Sequence, residues 1–218
     1  FIDSAIKAIK NHGIIAVAAT DTSALCGTYP KACMRKYDAL SLRTDYYNEL
    51  GLRILIGFIS RIATRYDYGI EPLFAHSTLH YFRVYLRLNK SNKDVKENIE
   101  NLRYVQHCFN CLLREYKKLN SIESHCTCGA KLYTAGPLWT GKFADSEFCK
   151  KVGDELKEGR FSKAKEAIKI VELVGKEQEI LKPYYDFHKI CEKLRIGSPP
   201  MEPVMEKLKK AGFNASRT

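Results

Sequence analysis

No stretch of this sequence is both long enough and apolar enough to cross a bilayer. The most hydrophobic run, Leu50 to Ile62, is interrupted by Arg53 and Arg61, whereas a spanning helix needs about 20 consecutive apolar residues. No signal-peptide pattern is read at Phe1, so a cytoplasmic, reducing environment is expected. The chain also lacks a glycine-rich dinucleotide loop, a phosphate-binding loop and a nucleophile elbow, which removes the common sequence signatures of dinucleotide binding, nucleotide-phosphate binding and serine-hydrolase chemistry. It has no internal repeat and no low-complexity tract. What it does have, 45% hydrophobic and 28% charged residues over 218 positions, describes a folded chain with room for one large domain or two small ones.

The charge is one-sided. A net charge of +11 is spread along the whole length rather than held in a tail. A field of that sign concentrates polyanions, so nucleic acid is the first partner to consider. A lysine-rich solvated surface is the alternative on charge alone.

Four of the eight cysteines fall in one window, Cys108-Phe-Asn-Cys111 and then His125-Cys126-Thr-Cys128-Gly129. Two short knuckles joined by a loop can deliver four soft ligands to a zinc ion at little entropic cost. The second knuckle is irregular: Cys126 and Cys128 have one residue between them, while His125 and Cys128 have the usual two. The expected set is Cys108, Cys111 and Cys128 with either Cys126 or His125. The isolated Cys26, Cys33, Cys149 and Cys191 read as small packed hydrophobes.

Hydrophobic periodicity predicts a helix over residues 1–10 ended at Gly13, then a strand over Ile14–Ala19. That strand is a continuous run of small apolar residues, which reads as buried on both faces in a parallel sheet. It ends at Thr20-Asp21-Thr22, where ligands sit in open α/β sheets. A long helix from Thr44 to near Gly69 is expected to turn Arg53, Arg61 and Arg65 outward. Two antiparallel strands, Glu71–Ser77 and His80–Leu88, follow as a hairpin at the sheet edge. Asn89–Asn98 reads as a linker, the cysteine segment as short strands, and the rest as helices: one capped by Asp145 and reaching about Lys157, one capped by Ser162 and reaching about Ile180, one opened by Pro183, and one after Gly197-Ser-Pro-Pro200. The domain expectation is 1–88 and 89–218, the latter divided into a zinc segment at 101–141 and a helical end at 145–218.

Long, ungeneric strings narrow the reading further. Ala16-Val-Ala-Ala-Thr20-Asp21-Thr-Ser-Ala-Leu-Cys26-Gly27-Thr-Tyr-Pro30, Arg43-Thr44-Asp45-Tyr46, Glu49-Leu-Gly51-Leu-Arg53, His80-Tyr81-Phe-Arg83-Val and Gly136-Pro-Leu-Trp139-Thr-Gly141 resemble the archaeal tRNA guanine-26 N2-dimethyltransferases, from the first residues through Ser216-Arg217-Thr218. The resemblance implies the C-terminal half of a class I, Rossmann-like methyltransferase sheet followed by an α+β domain with a zinc knuckle and a helical end. It implies S-adenosylmethionine as methyl donor and tRNA as partner; the scattered basic residues, with no recognisable single-strand platform, predict binding to the folded tRNA through phosphates. The resemblance also implies that the cofactor loops and the Asp-Pro-aromatic-Gly motif precede Phe1. The chain is therefore expected to be cut at both ends, to carry no catalytic residue of its own and to be inactive alone.

Within the chain, Thr20, Asp21, Cys26, Gly27 and Tyr29 are the expected substrate-side residues. Asp21 reads either as an acceptor for the guanine amine or as a cap on its own turn amides, and Tyr29 as a ring able to hold a base drawn out of its stack. Two readings from other classes remain: a non-catalytic zinc-containing RNA-binding module, and a zinc-stapled scaffold that needs no RNA.

Overall fold

The structure, a computed structural model, describes residues 1–177 and 182–215. In chain order these form α1 (Ile2–Ala8), β1 (Ile14–Ala19), α2 (Thr22–Leu25), α3 (Pro30–Tyr37), α4 (Tyr47–Thr64), β2 (Tyr68–Thr78), β3 (Tyr81–Lys90), α5 (Asn92–Glu100), β4 (Leu102–His107), β5 (Arg114–Lys117), β6 (Tyr133–Trp139), α6 (Ser146–Glu158), α7 (Ala164–Glu177), α8 (Phe187–Leu194) and α9 (Met201–Lys210), with a 3-10 turn at Leu119–Ser121.

The first sheet has the order β1-β3-β2. Its hairpin forms as the alternation of Tyr81 to Leu88 predicts: Phe82, Val84, Leu86 and Leu88 are fully buried, while Tyr81, Arg83, Tyr85 and Arg87 lie half-exposed on the other face. A bulge between Pro72 and Phe74 turns Leu73 into the core as well. The expectation for β1 needs correction. It pairs antiparallel with β3, in register Ile14 with Arg87 through Ala19 with Phe82, not parallel. Nor is it buried on both faces, because Ile15 and Val17 pack on the core whereas Ile14, Ala16 and Ala18 are exposed. A run of small apolar residues carries no record of strand direction, and within the described residues helices cover only one face of this strand.

Helix α4 is buried along nearly its whole length, from Leu50 to Ala63. The first sheet covers one side, so closely that a Cβ on Gly51 would lie 2.9 Å from the Phe82 ring. Strand β6 covers another, where a Cβ on Gly57 would lie 3.0 Å from the Leu138 Cα. Two of the three arginines therefore do not face water. Arg53 is 1% exposed; its Nε donates to Glu49 Oε1 at 2.7 Å, and its Nη1 donates to the carbonyls of Trp139 at 3.1 Å and Gly141 at 3.2 Å. Arg61 is half-buried and closes the C-terminal end of α3 by donating to the carbonyls of Tyr37 at 2.6 Å and Asp38 at 2.8 Å. Arg65 alone is exposed as expected.

The second sheet, β5-β4-β6, is antiparallel and supplies the short strands expected around the cysteines. The supposed linker before it is α5. Ser91 caps that helix, its Oγ accepting from Asp94 N at 3.3 Å. The buried Asn98 side chain donates to Ile70 O at 3.1 Å and accepts from Ile70 N, satisfying β2 in place of a further strand. Polar composition hid a helix whose polar face is solvated and whose one buried asparagine works as a backbone mimic.

Asp145 caps α6 as expected, accepting from Phe148 N at 2.7 Å, and α6 reaches Glu158. Helix α7 begins at Ala164, beyond Ser162, and its expected end at Ile180 lies outside the described residues, as do Ser216-Arg217-Thr218. Pro183 does not open a helix; α8 begins at Phe187, capped by Asp186. The stretch between is held out of helix by tertiary bonds, Tyr184 N to Glu49 Oε2 and Tyr184 Oη to Asp45 O, both at 3.1 Å. The same knot includes Arg114, which pairs with Asp45 at 3.1 Å, donates to Tyr184 O, and lies between the rings of Tyr46 and Tyr185. One contiguous core runs from Ile6 on α1 to Val174 on α7, and a small satellite gathers Cys108, Cys126 and Leu132.

Candidate metal centre and substrate edge

Strand β4 delivers Cys108 from its end, and a tight turn returns the chain: Leu112 N donates to Cys108 O, and Cys108 N to Leu113 O, both at 2.9 Å. The second knuckle is built alike, with Cys126 N donating to Ala130 O and Gly129 N to Cys126 O, both at 2.8 Å. Gly129 takes φ +82° there, a left-handed conformation that costs glycine little. The two turns face each other, so that Sγ of Cys108 lies 3.6 Å from that of Cys128, and Sγ of Cys111 lies 3.5 Å from that of Cys126. All four sulfurs lie within 4.8 Å of one another. A zinc–sulfur bond of about 2.3 Å in a tetrahedron places its sulfurs about 3.8 Å apart, so the group could hold such an ion. His125 is not brought into this group; its Nδ1 lies 2.9 Å from Ser124 Oγ on the outside of the turn. The Ala130 amide first, then the Asn110 side chain, bring the Cys128 thiol down to about 6, whereas the Cys111 thiol is pushed up.

The expected substrate-side residues occupy the turn after β1. Thr20 is exposed. Asp21 stands at the N-cap position of α2 without a side-chain cap bond, and its carboxylate pairs with Lys36 of α3. Its competing reading as a cap on its own amides is thus not the arrangement found. Cys26 and Gly27 face inward. Burial pushes the Cys26 thiol up to about 11, and its Sγ approaches Asn48 Oδ1 at 3.7 Å, so it is a packed thiol rather than a nucleophile. Gly27 has φ +85°, and a Cβ there would lie 2.1 Å from the Leu42 carbonyl carbon; the close passage of residues 42–43 requires a glycine. Tyr29 is 62% exposed just before α3, its ring free at the surface.

Sequence reasoning missed two features. Of the buried charges, Arg53 was legible only as an arginine four residues after Glu49 inside an apolar helix, while the Asp45–Arg114 pair has no local signal. The second is the tip of the β2–β3 hairpin. Because Ala19 pairs with Phe82 and Thr78 with Tyr81, that tip stands at the carboxyl end of β1, beside Thr20 and Asp21.

Comparison with known proteins places this geometry. A solved structure, the complex of Trm1 from Pyrococcus horikoshii with S-adenosyl-L-methionine, superposes with a TM-score of 0.88 at 32% identity, over 100% of this chain and 57% of that one. The fold is thus α/β, two small antiparallel sheets packed with helices, a four-cysteine group and a helical end, and it matches that structure over its whole described length. The family model for N2,N2-dimethylguanosine tRNA methyltransferase matches residues 1–218, and the chain belongs to that family. Among curated relatives, a tRNA (guanine(26)-N(2))-dimethyltransferase of Methanothermobacter thermautotrophicus is 39% identical over 100% of this chain and 58% of its own length. A tRNA (guanine(26)-N(2)/guanine(27)-N(2))-dimethyltransferase of Aquifex aeolicus is 37% identical over 100% of this chain and 55% of its own length. The chain therefore spans little more than half the length of these relatives.

Proposed function

We propose that this chain forms the guanine-facing edge and the C-terminal module of an S-adenosylmethionine-dependent methyltransferase acting on the exocyclic amine of guanine 26 in tRNA. The observation that carries the reading is the structural correspondence with the S-adenosyl-L-methionine complex over all of this chain and 57% of that one, at a TM-score of 0.88 and 32% identity. The names of the relatives support the substrate, and a net charge of +11 suits a polyanion.

The chemistry defines what each part would contribute. A guanine amine is a poor nucleophile because its lone pair is delocalised into the ring, so the site must hold it in line with the methyl donor and accept hydrogen bonds from its N–H groups. On this reading Asp21, released from Lys36 or sharing it, is the acceptor on this edge, with Thr20 beside it and Tyr29 against the extruded base. Cys26 and Gly27 fix the loop that carries them. S-adenosylmethionine would supply the methyl group as an electrophilic sulfonium. The reading gives residues 1–88 to the methyltransferase domain and 89–218 to the family-specific domain seated on it. Zinc, held by Cys108, Cys111, Cys126 and Cys128, would staple the second sheet, and a cytoplasmic, reducing setting suits free thiols and zinc on this reading. Among the described residues no helix is long and apolar enough to cross a membrane.

The test is methyl transfer to an unmodified tRNA transcript and to its guanine-26-to-adenine counterpart. It is run on this chain alone and on the chain joined to the upstream part its relatives carry. Turnover by the joined protein on guanine 26 and none by the chain alone supports the reading. RNA binding with no methylation by either form favours a non-catalytic zinc-containing RNA-binding module.

A further inference from the structure

The half-exposed face of the first sheet carries a continuous ladder of rings. Tyr85 lies 6.2 Å from Phe74, Phe74 5.4 Å from His76, and His76 5.9 Å from Tyr81, between ring centroids. Register places them on one face, since Phe74 pairs with Tyr85 and His76 with Arg83. The neighbouring positions on β1 are Ala16 and Ala18, which pair with Tyr85 and Arg83 and are exposed. Their small side chains leave the ladder uncovered on that side.

Arg83 stands 5.9 Å from the Tyr81 ring centroid, and no carboxylate among the described residues pairs with it. Four residues further along β3, beyond the Tyr85–Phe74 pair, Arg87 is matched by Glu71 at 2.9 Å. Of the two guanidinium groups on this face of β3, the unmatched one thus falls at the end of the ladder nearest the hairpin tip, the end that stands beside Thr20 and Asp21. Burial, then the nearby Arg83 charge, lower the pKa of His76, which favours its uncharged ring.

We propose that this hairpin tip positions the tRNA strand next to the target guanine, with a nucleobase stacked on Tyr81 and a phosphate held by Arg83. The inference rests on the function proposed above. Flat rings interleaved with an unmatched cation match the two chemistries of a nucleic-acid strand, base faces and phosphates. A protein segment would more often bring a carboxylate and aliphatic side chains. Tyr81 and Arg83 are positioning residues here, acting on the strand and not on the reacting atoms.

The experiment measures binding of unmodified tRNA across a salt series, using the protein that carries this chain together with its relatives' upstream part. Arg83→Ala should weaken binding about tenfold and lower the slope of log affinity against log salt by about one. Arg83→Lys should restore the slope. Tyr81→Leu should weaken binding with the slope unchanged, and Arg87→Ala should change little. Thiouridine-substituted tRNA, irradiated with the unaltered protein, should cross-link to residues 74–87, which keeps the proposal open to refutation where a variant misfolds. If the unaltered protein binds tRNA but Arg83→Ala keeps both affinity and slope, or no cross-link maps to the hairpin, this inference falls while the proposed function stands. If the unaltered protein does not bind tRNA, both fall. Protection of Tyr81 from hydroxyl-radical labelling in the RNA-free protein would show that the protein itself covers the ladder, and would also overturn it.

Discussion

Removing Asp45 should be among the most damaging single changes available in this chain. The Asp45 and Arg114 side chains are 3% and 0% exposed, and the aspartate also accepts from Asp186 N at 3.3 Å. In Asp45→Ala the guanidinium keeps the Tyr184 carbonyl and the ring faces of Tyr46 and Tyr185 at 4.5 and 3.9 Å, but loses its only carboxylate among the described residues. Breaking a buried pair from one side costs about 3–5 kcal/mol, because it leaves an uncompensated buried charge. For a chain of this size each kcal/mol moves the midpoint by about 2–4 °C, so Tm should fall by about 6–20 °C. Because Asp45 also accepts from Asp186 N and Arg114 donates to Tyr184 O, both partners of the pair tie down the stretch before α8, so unfolding of residues 182–215 should appear as a separate, earlier phase in hydrogen exchange. The double variant Asp45→Ala/Arg114→Leu should recover much of the loss, since no lone charge remains. Glu147→Ala, which removes a surface pair whose side chains are 71% and 76% exposed, should cost under about 0.5 kcal/mol. A loss of less than about 1 kcal/mol in Asp45→Ala would refute this account of the knot.

Metal analysis of protein purified without added metal should find one zinc per chain; Cys108→Ser and Cys126→Ser should each lose it, whereas His125→Ala and Cys149→Ser should retain it. Retention in Cys126→Ser would reassign the fourth ligand. Gly27→Ala should destabilise by at least about 1–3 kcal/mol in urea unfolding, given its left-handed backbone and the 2.1 Å approach to Leu42. Stability should fall as pH rises from 6 to 8 through the Glu177 carboxyl, which burial and the Glu49 carboxylate push up to about 7. A folded-state pKa above the unfolded value means stability is present at low pH and lost as the group ionises. Glu177→Gln should flatten that dependence in urea titrations at the two pH values, and an unchanged slope would remove Glu177 as its source.

The sequence carried the hairpin, the cysteine knuckles and the Asp145 cap because each is a local pattern: alternation over Tyr81–Leu88, paired thiol spacings, an acceptor three residues before its amide. It did not carry what depends on neighbours. The direction of β1 is set by its pairing with β3, the fate of Arg53 by β6 lying across α4, and the identity of α5 by Asn98 filling in for a strand. Pro183 looked like a helix start until Tyr184 was seen bonded to Glu49 and Asp45. The choice between Cys126 and His125 needed the facing turn in three dimensions, because spacing favoured the histidine while the sulfur geometry gathers the cysteine.

Helix α4 is covered by the first sheet near Gly51 and by β6 near Gly57, with Arg53 reaching across to the Trp139 and Gly141 carbonyls. A rod clasped from two sides leaves no joint between the parts it touches. The hairpin tip and the cysteine turns consequently keep a set separation, as the jaws of a locked caliper do. Under the proposed function, an RNA that met both would have to match that span, and span is a property of a folded shape rather than of a base sequence.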